Sequence, residues 1–252
     1  MVRGFLVADG FHRAAQTLSG LANALALYPP DLQDTAVAAM ESAAADEASI
    51  VPASNEPDPR EASPALVDRT YERIADTLSV ERPAQVTSIR YQGLDPIGHY
   101  YLRFAVPSEF GDVTEEERRR LGGVLERQYA IVDQAIGRAM AAIGPDDLLL
   151  VVSAYGMVPL NLGRRLVERL IGDADLSGTH DAAPDGFLMA YGAPVARGRL
   201  PARASVVDVL PTLLYFLGLP IGRDMDGYVR TDLFKPAFIL DRPIAYIPTY
   251  DR

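Results

Sequence analysis

Five consecutive apolar side chains in DDLLLVVS, residues 146–153, form an uninterrupted run. That pattern belongs to a strand buried on both faces of a parallel sheet. GFLMAYG at 186–192 reads as a second strand of this kind. QVTSIRYQG at 85–93 alternates toward Asp95 and predicts a third, and RGFLVADG near the start predicts a short one. Between these runs the apolar period changes to that of a helix. A helix is expected from about Pro64 to Leu78. A longer one is expected from Thr114, whose spacing to Glu117 is a capping-box signal. Its positions Leu121, Leu125, Tyr129, Val132, Ile136 and Met140 recur every three or four residues and predict one continuous buried stripe. SVVDVLPTLLYFLG at 205–218 predicts a further helix, ahead of a tail containing RPIAYIPTY. Upstream, two Ala-rich stretches at about 12–27 and 31–47 read as helices broken by Tyr28-Pro29-Pro30. The proline-rich residues 51–63 then read as a surface loop.

Helices alternating with apolar strands predict an α/β fold: a mostly parallel sheet sandwiched by helices. The division expected is a small helical cap or partial N-terminal region over 1–84 and an α/β core over 85–252.

Composition narrows the chemistry. With 252 residues and 48% hydrophobic content the chain can bury a substantial core. Its 24 basic against 34 acidic residues give a net charge of −10, which repels nucleic acid and anionic membrane. An anionic substrate therefore needs local positive charge, such as a metal ion. There is no cysteine, so thiolate sites and disulfides are excluded and any metal must be held by His, Asp and Glu. No run approaches the roughly 20 apolar residues of a membrane span, and the apolar core of MVRGFLVADG is too short for a signal peptide.

Only three histidines are present, and one lies in RYQGLDPIGHYYLRF, four residues after Asp95. Ligands of open α/β sheets collect at the carboxyl ends of the strands. Asp95, His99, the SAYG turn at 153–156 and GTH at 178–180 are all expected there. In this reading Pro96 restricts the backbone after the strand, and Gly98 lets a turn bring the His99 ring back toward Asp95. One carboxylate and two imidazoles suffice for a zinc-type site and leave a fourth position open, with His180 the third ligand. A hydrogen-bonded structural cluster without metal is the alternative.

YQGLDPIGHYY, LLLVVSAYGM, SGTHDAAPDGFLMAYGAPVARG and ASVVDVLPTLLYFLGLPIGRDMDGYV together resemble, in order and spacing, the C-terminal half of the alkaline phosphatase superfamily. The resemblance is closest to type I phosphodiesterase/nucleotide pyrophosphatase-like proteins and covers about residues 85–234. It implies a two-metal hydrolase of phosphate or related esters, with a small phosphoester or nucleotide-like substrate. The ligands of one metal carry over onto Asp95, His99 and His180, and imply one divalent ion, zinc ahead of manganese.

Where the family has SDHG this chain has Ser153-Ala154-Tyr155-Gly156, so Ala154 and Tyr155 stand where second-metal ligands are expected. A methyl group cannot ligate, and a phenol with an ordinary pKa near 10 is a poor substitute for imidazole, so packing is the role expected of Tyr155. Asp9-Gly10 and Thr17 imitate the family's first metal ligand and nucleophile, but at far too short a separation, and read as part of the cap. Asp181 is expected to orient a ligand ring through its carboxylate, or to be an exposed loop acid. His12 reads as a solvated helix-start residue, Asp208 as a helix anchor, and Arg197, Arg199 and Arg203 as a basic cluster facing either substrate or solvent. The function expected is a degenerate, single-metal phosphoric-ester hydrolase. The alternative is a catalytically dead binding or structural module.

Overall fold

The computed structural model describes residues 2–7, 59–198 and 203–251. Both Ala-rich stretches, most of the proline-rich loop, Asp9, His12, Thr17 and Arg199 lie outside them. The described strands are β1 (Val2–Val7), β2 (Val86–Arg90), β3 (Leu148–Tyr155), β4 (Val158–Pro159), β5 (Gly178–Thr179), β6 (Asp185–Tyr191), β7 (Ile221–Gly222) and β8 (Tyr246–Ile247). The described α-helices are α1 (Pro59–Glu81), α2 (Leu94–Ala105), α3 (Glu115–Leu121), α4 (Val124–Ala142), α5 (Leu162–Ile171), α6 (Val209–Phe216) and α7 (Pro236–Asp241).

The fold is mixed α/β, around a four-stranded sheet of order β2-β1-β3-β6. β1 runs parallel to both neighbours, with Leu6 opposite Arg90 and Val7 opposite Ser153. The first strand is therefore central to the sheet, although a division at residue 84 sets it apart from the core.

β6 corrects the expectation of a parallel strand buried on both faces. It pairs antiparallel with β3 at the sheet edge, Tyr155 opposite Asp185. Its burial alternates: Leu188 and Ala190 pack into the core, whereas Phe187, Met189 and Tyr191 are 57, 43 and 40% exposed. A continuous apolar run allows two-sided burial but does not require it. β3 does have both faces buried. Leu148, Leu150 and Val152 pack against Tyr215, Phe216 and Phe234 on one side. Leu149 and Val151 pack against Tyr91, Val132, Ala135 and Ala139 on the other.

The long helix expected from Thr114 is two helices, because the chain breaks at Gly122-Gly123. The capping box at Thr114 and Glu117 is present, with Glu117 N–H donating to Thr114 Oγ1 at 3.2 Å. Past the break the buried row is Val124, Gln128, Ile131, Val132, Ala135 and Ala139, while Tyr129 is 58% exposed. The shift in phase places an amide, Gln128, inside the protein.

Candidate metal centre

The segment after β2 is a helix, not a turn. Asp95 lies in the first turn of α2 and His99 one turn later, where residues four apart share a face. Pro96 is tolerated in this first turn because its missing N–H has no partner there in any case. Gly98 serves close approach rather than chain reversal. A Cβ there would stand 2.5 Å from Met157 Sδ, and one on Gly178 would stand 2.6 Å from the Gly98 carbonyl oxygen. Helix α2 is thus pressed against β5, and β5 ends one residue before His180.

Ser177 fixes the two elements together. Its N–H and its hydroxyl both donate to the His99 carbonyl, at 2.6 and 2.9 Å. The result is that Asp95, His99 and His180 offer ligand atoms all within 4.8 Å of one another. All three are half-buried, with side chains 18, 15 and 25% exposed.

The hydrogen bonds decide the chemistry of the imidazoles. His99 Nδ1 lies 2.8 Å from the Gly178 carbonyl oxygen, and His180 Nδ1 lies 2.7 Å from that of Gly156. A carbonyl only accepts, so each Nδ1 carries a proton, and in the neutral ring Nε2 is left with a lone pair. Both Nε2 atoms point at one oxygen, Asp95 Oδ1, at 3.3 Å from His99 and 2.8 Å from His180. Burial raises the Asp95 carboxyl, but the two imidazoles outweigh burial and hold it down at about 2. Each Nε2 therefore meets the carboxylate either as a protonated donor, the form that lowers Asp95, or as a lone pair with a cation between. Such an arrangement needs a cation: a proton on the ring, or a metal ion.

The donor set fits the metal. Metal-ligating histidines characteristically give their second N–H to a carbonyl or carboxylate, which fixes ring and tautomer. Ligand atoms around a tetrahedral zinc stand ~3.3 Å apart. The His99 pair already has that separation, and the His180 pair is slightly closer.

Asp181 orients neither ring. It is exposed, its carboxylate meets Arg164 Nη1 at 2.5 Å, and the two nitrogens of His180 are engaged by Gly156 and Asp95. Arg164 lies in the first turn of α5, where the Asn161 side chain accepts its backbone N–H at 2.9 Å. Backbone carbonyls do the work expected of Asp181, and no residue-type signal marks a carbonyl.

At the end of β3, Ala154 is exposed, and the Tyr155 ring stands edge-on to His180 with centroids 4.5 Å apart. Of the basic cluster, Arg203 pairs with Asp185 at 2.9 Å and Arg197 is exposed. A cleft of about 680 Å³ lined by Met140, Gly144, Tyr191 and Arg197 lies at the opposite end of β3 and does not include the triad.

No family model matches this chain, and neither a curated protein nor a solved structure does.

Proposed function

We propose that the chain is a degenerate, metal-dependent phosphoric-ester hydrolase of the phosphodiesterase/nucleotide pyrophosphatase type, built on an alkaline-phosphatase-like α/β core. The observation that carries this reading is the convergence of two Nε2 atoms on Asp95 Oδ1, with each Nδ1 set against a carbonyl oxygen. Asp95, His99 and His180 would hold one divalent ion, zinc ahead of manganese. Such an ion supplies Lewis acidity toward a phosphoryl oxygen and makes a bound water more acidic.

The remaining contributions are those of the chain. Asp95 supplies one negative charge, the Gly156 and Gly178 carbonyls fix the rings, and Tyr155 covers one side of His180. All three side chains are partly exposed rather than sealed from solvent. Two-metal hydrolysis clamps both the attacking and the leaving oxygen, and Ala154 with Tyr155 cannot provide the second half of that clamp. Slow turnover follows. The same two positions favour the second reading, a binding module that retains the ion and turns over nothing.

Hydrolysis of a chromogenic phosphodiester with added zinc or manganese separates these readings. Slow turnover that falls at least ~100-fold in Asp95→Ala, as expected for loss of a metal ligand, supports the hydrolase. Turnover that survives the substitution, or no turnover by a zinc-loaded wild type, overturns it.

A further inference from the structure

Helix α2 carries two of the three candidate ligands, and its N-terminus is held by a group that the proposed chemistry does not use. Asp68, on α1, is fully buried. Its Oδ1 accepts the Gln92 N–H at 2.6 Å, and its Oδ2 accepts the Gly93 N–H at 3.0 Å and the Gln128 side-chain N–H at 2.8 Å. Gly93 is the N-cap of α2 and has no side chain with which to cap it, so a carboxylate from 25 residues upstream takes that part. The fit leaves no spare room, because a Cβ on Gly93 would stand 2.2 Å from Gln128 Nε2 and 2.6 Å from Asp68 Oδ2. The far side of α2 is fixed independently, through Ser177 and Gly178 on the loop that leads to His180.

We propose that Asp68, with Gln128, is a positioning residue for the metal centre: its carboxylate clamps the N-terminus of α2 and so sets Asp95 and His99 against His180. This inference rests on the metal reading above for its consequence. The clamp itself is a property of the protein without metal. Three N–H donors converge on the two carboxylate oxygens. An asparagine turns one of these oxygens into an amide nitrogen that confronts donors, although its size is the same.

The test uses the full chain, stripped with chelator, as wild type, Asp68→Asn, Gly93→Ala and Val67→Ala. Val67 is a buried neighbour on α1 and controls for simple loss of stability. Two quantities are read well below the unfolding temperature: zinc affinity by calorimetry, and the imidazole nitrogen and proton resonances of metal-free protein by NMR. Asp68→Asn and Gly93→Ala are expected to weaken zinc about 10- to 100-fold, as loss of support behind a ligand does, while Val67→Ala stays within about twofold on the same ground. In the metal-free clamp variants the His99 Nδ1–H resonance, anchored on Gly178, shifts or broadens, and that of His180, anchored on Gly156, stays.

Unchanged zinc affinity together with unchanged His99 resonances in Asp68→Asn overturns the proposal, as does an equal loss in Val67→Ala. If Asp68→Asn does not fold, Gly93→Ala decides by the same criteria. If the wild type binds no zinc, the metal reading fails, and the His99 resonances alone decide whether the clamp exists.

Discussion

Two buried aspartates perform the same local task with different partners. Asp68 accepts backbone N–H groups from Gln92 and Gly93, and Asp208 accepts them from Ser205 at 2.9 Å and Tyr228 at 2.8 Å. Each ties an incoming loop to the start of a helix, α2 in one case and α6 in the other. The third partner differs. Asp68 has the neutral amide of Gln128 at 2.8 Å, whereas Asp208 has the guanidinium of Arg230 at 3.5 Å. Burial pushes Asp68 up to about 7, and its three N–H donors only partly oppose that. For Asp208, burial also acts upward, but the Ser205 and Tyr228 N–H groups and Arg230 outweigh it and hold the carboxyl below its usual value. Asp208 is thus held down by its N–H donors first and by the guanidinium after them, whereas three N–H donors without a cation do not offset the deeper burial of Asp68. Asp68 stands behind the candidate metal centre.

The largest effect expected comes from making Asp208 resemble Asp68. Arg230→Gln removes the guanidinium that reaches Asp208 at 3.5 Å and Asp232 at 2.7 Å, with the Arg230 and Asp208 side chains only 9 and 8% exposed. Breaking such a pair costs about 3–5 kcal/mol, read by urea denaturation near pH 7. A loss under about 1 kcal/mol would mean that the backbone N–H groups suffice and that the cation is incidental.

Next come the glycines where the loops arrive. A Cβ on Gly227 would meet the Val207 carbonyl oxygen at 2.0 Å, whereas one on Gly93 meets side-chain atoms of Gln128 and Asp68. Backbone yields less than side chain. Gly227→Ala is expected to cost about 3 kcal/mol and Gly93→Ala about 1–2. The reverse order would show that the clamp around Gly93 is the stiffer of the two.

The smallest effect is the most diagnostic. The native state favours protonated Asp68, because its folded pKa lies above the ordinary 3.8. Its contribution is therefore present in full below about pH 4 and declines as pH rises to about 7. Asp208 has the opposite sign: its contribution is present above its unfolded value and is lost as pH falls through the lowered folded value. Gln128→Lys supplies Asp68 with a cation and is expected to bring its pKa down by about 1–3 units. That flattens the decline between pH 4 and 7 in stability measured against pH. An unchanged slope would assign the decline to other groups.

The candidate ligands were legible in the sequence because the chemistry of a metal site restricts residue types, and Asp95, His99 and His180 are the types required. Their local setting was not. DPIGH contains both Pro and Gly and reads as a turn, yet Pro96 falls where a helix tolerates it and Gly98 is needed for contact with Met157. β3 was legible from its unbroken apolar run. β6 carries a similar run and is a half-exposed antiparallel edge, because position in a sheet depends on topology rather than on apolar content. Asp68 and Gln128 gave no sign at all. Each is an ordinary polar residue in a helical pattern, and only the packing of α1, α2 and α4 makes them partners.

The central claim is that two imidazole Nε2 atoms and one carboxylate oxygen are arranged for a metal ion rather than for a proton. Calorimetry of zinc and manganese binding to chelator-stripped protein, wild type beside His180→Ala, tests it most directly. The account predicts a single site in the wild type that weakens at least ~100-fold in the variant, as loss of a direct ligand requires. No binding by the wild type, or binding that His180→Ala leaves intact, would contradict it and leave the cluster as a hydrogen-bonded one built around a proton.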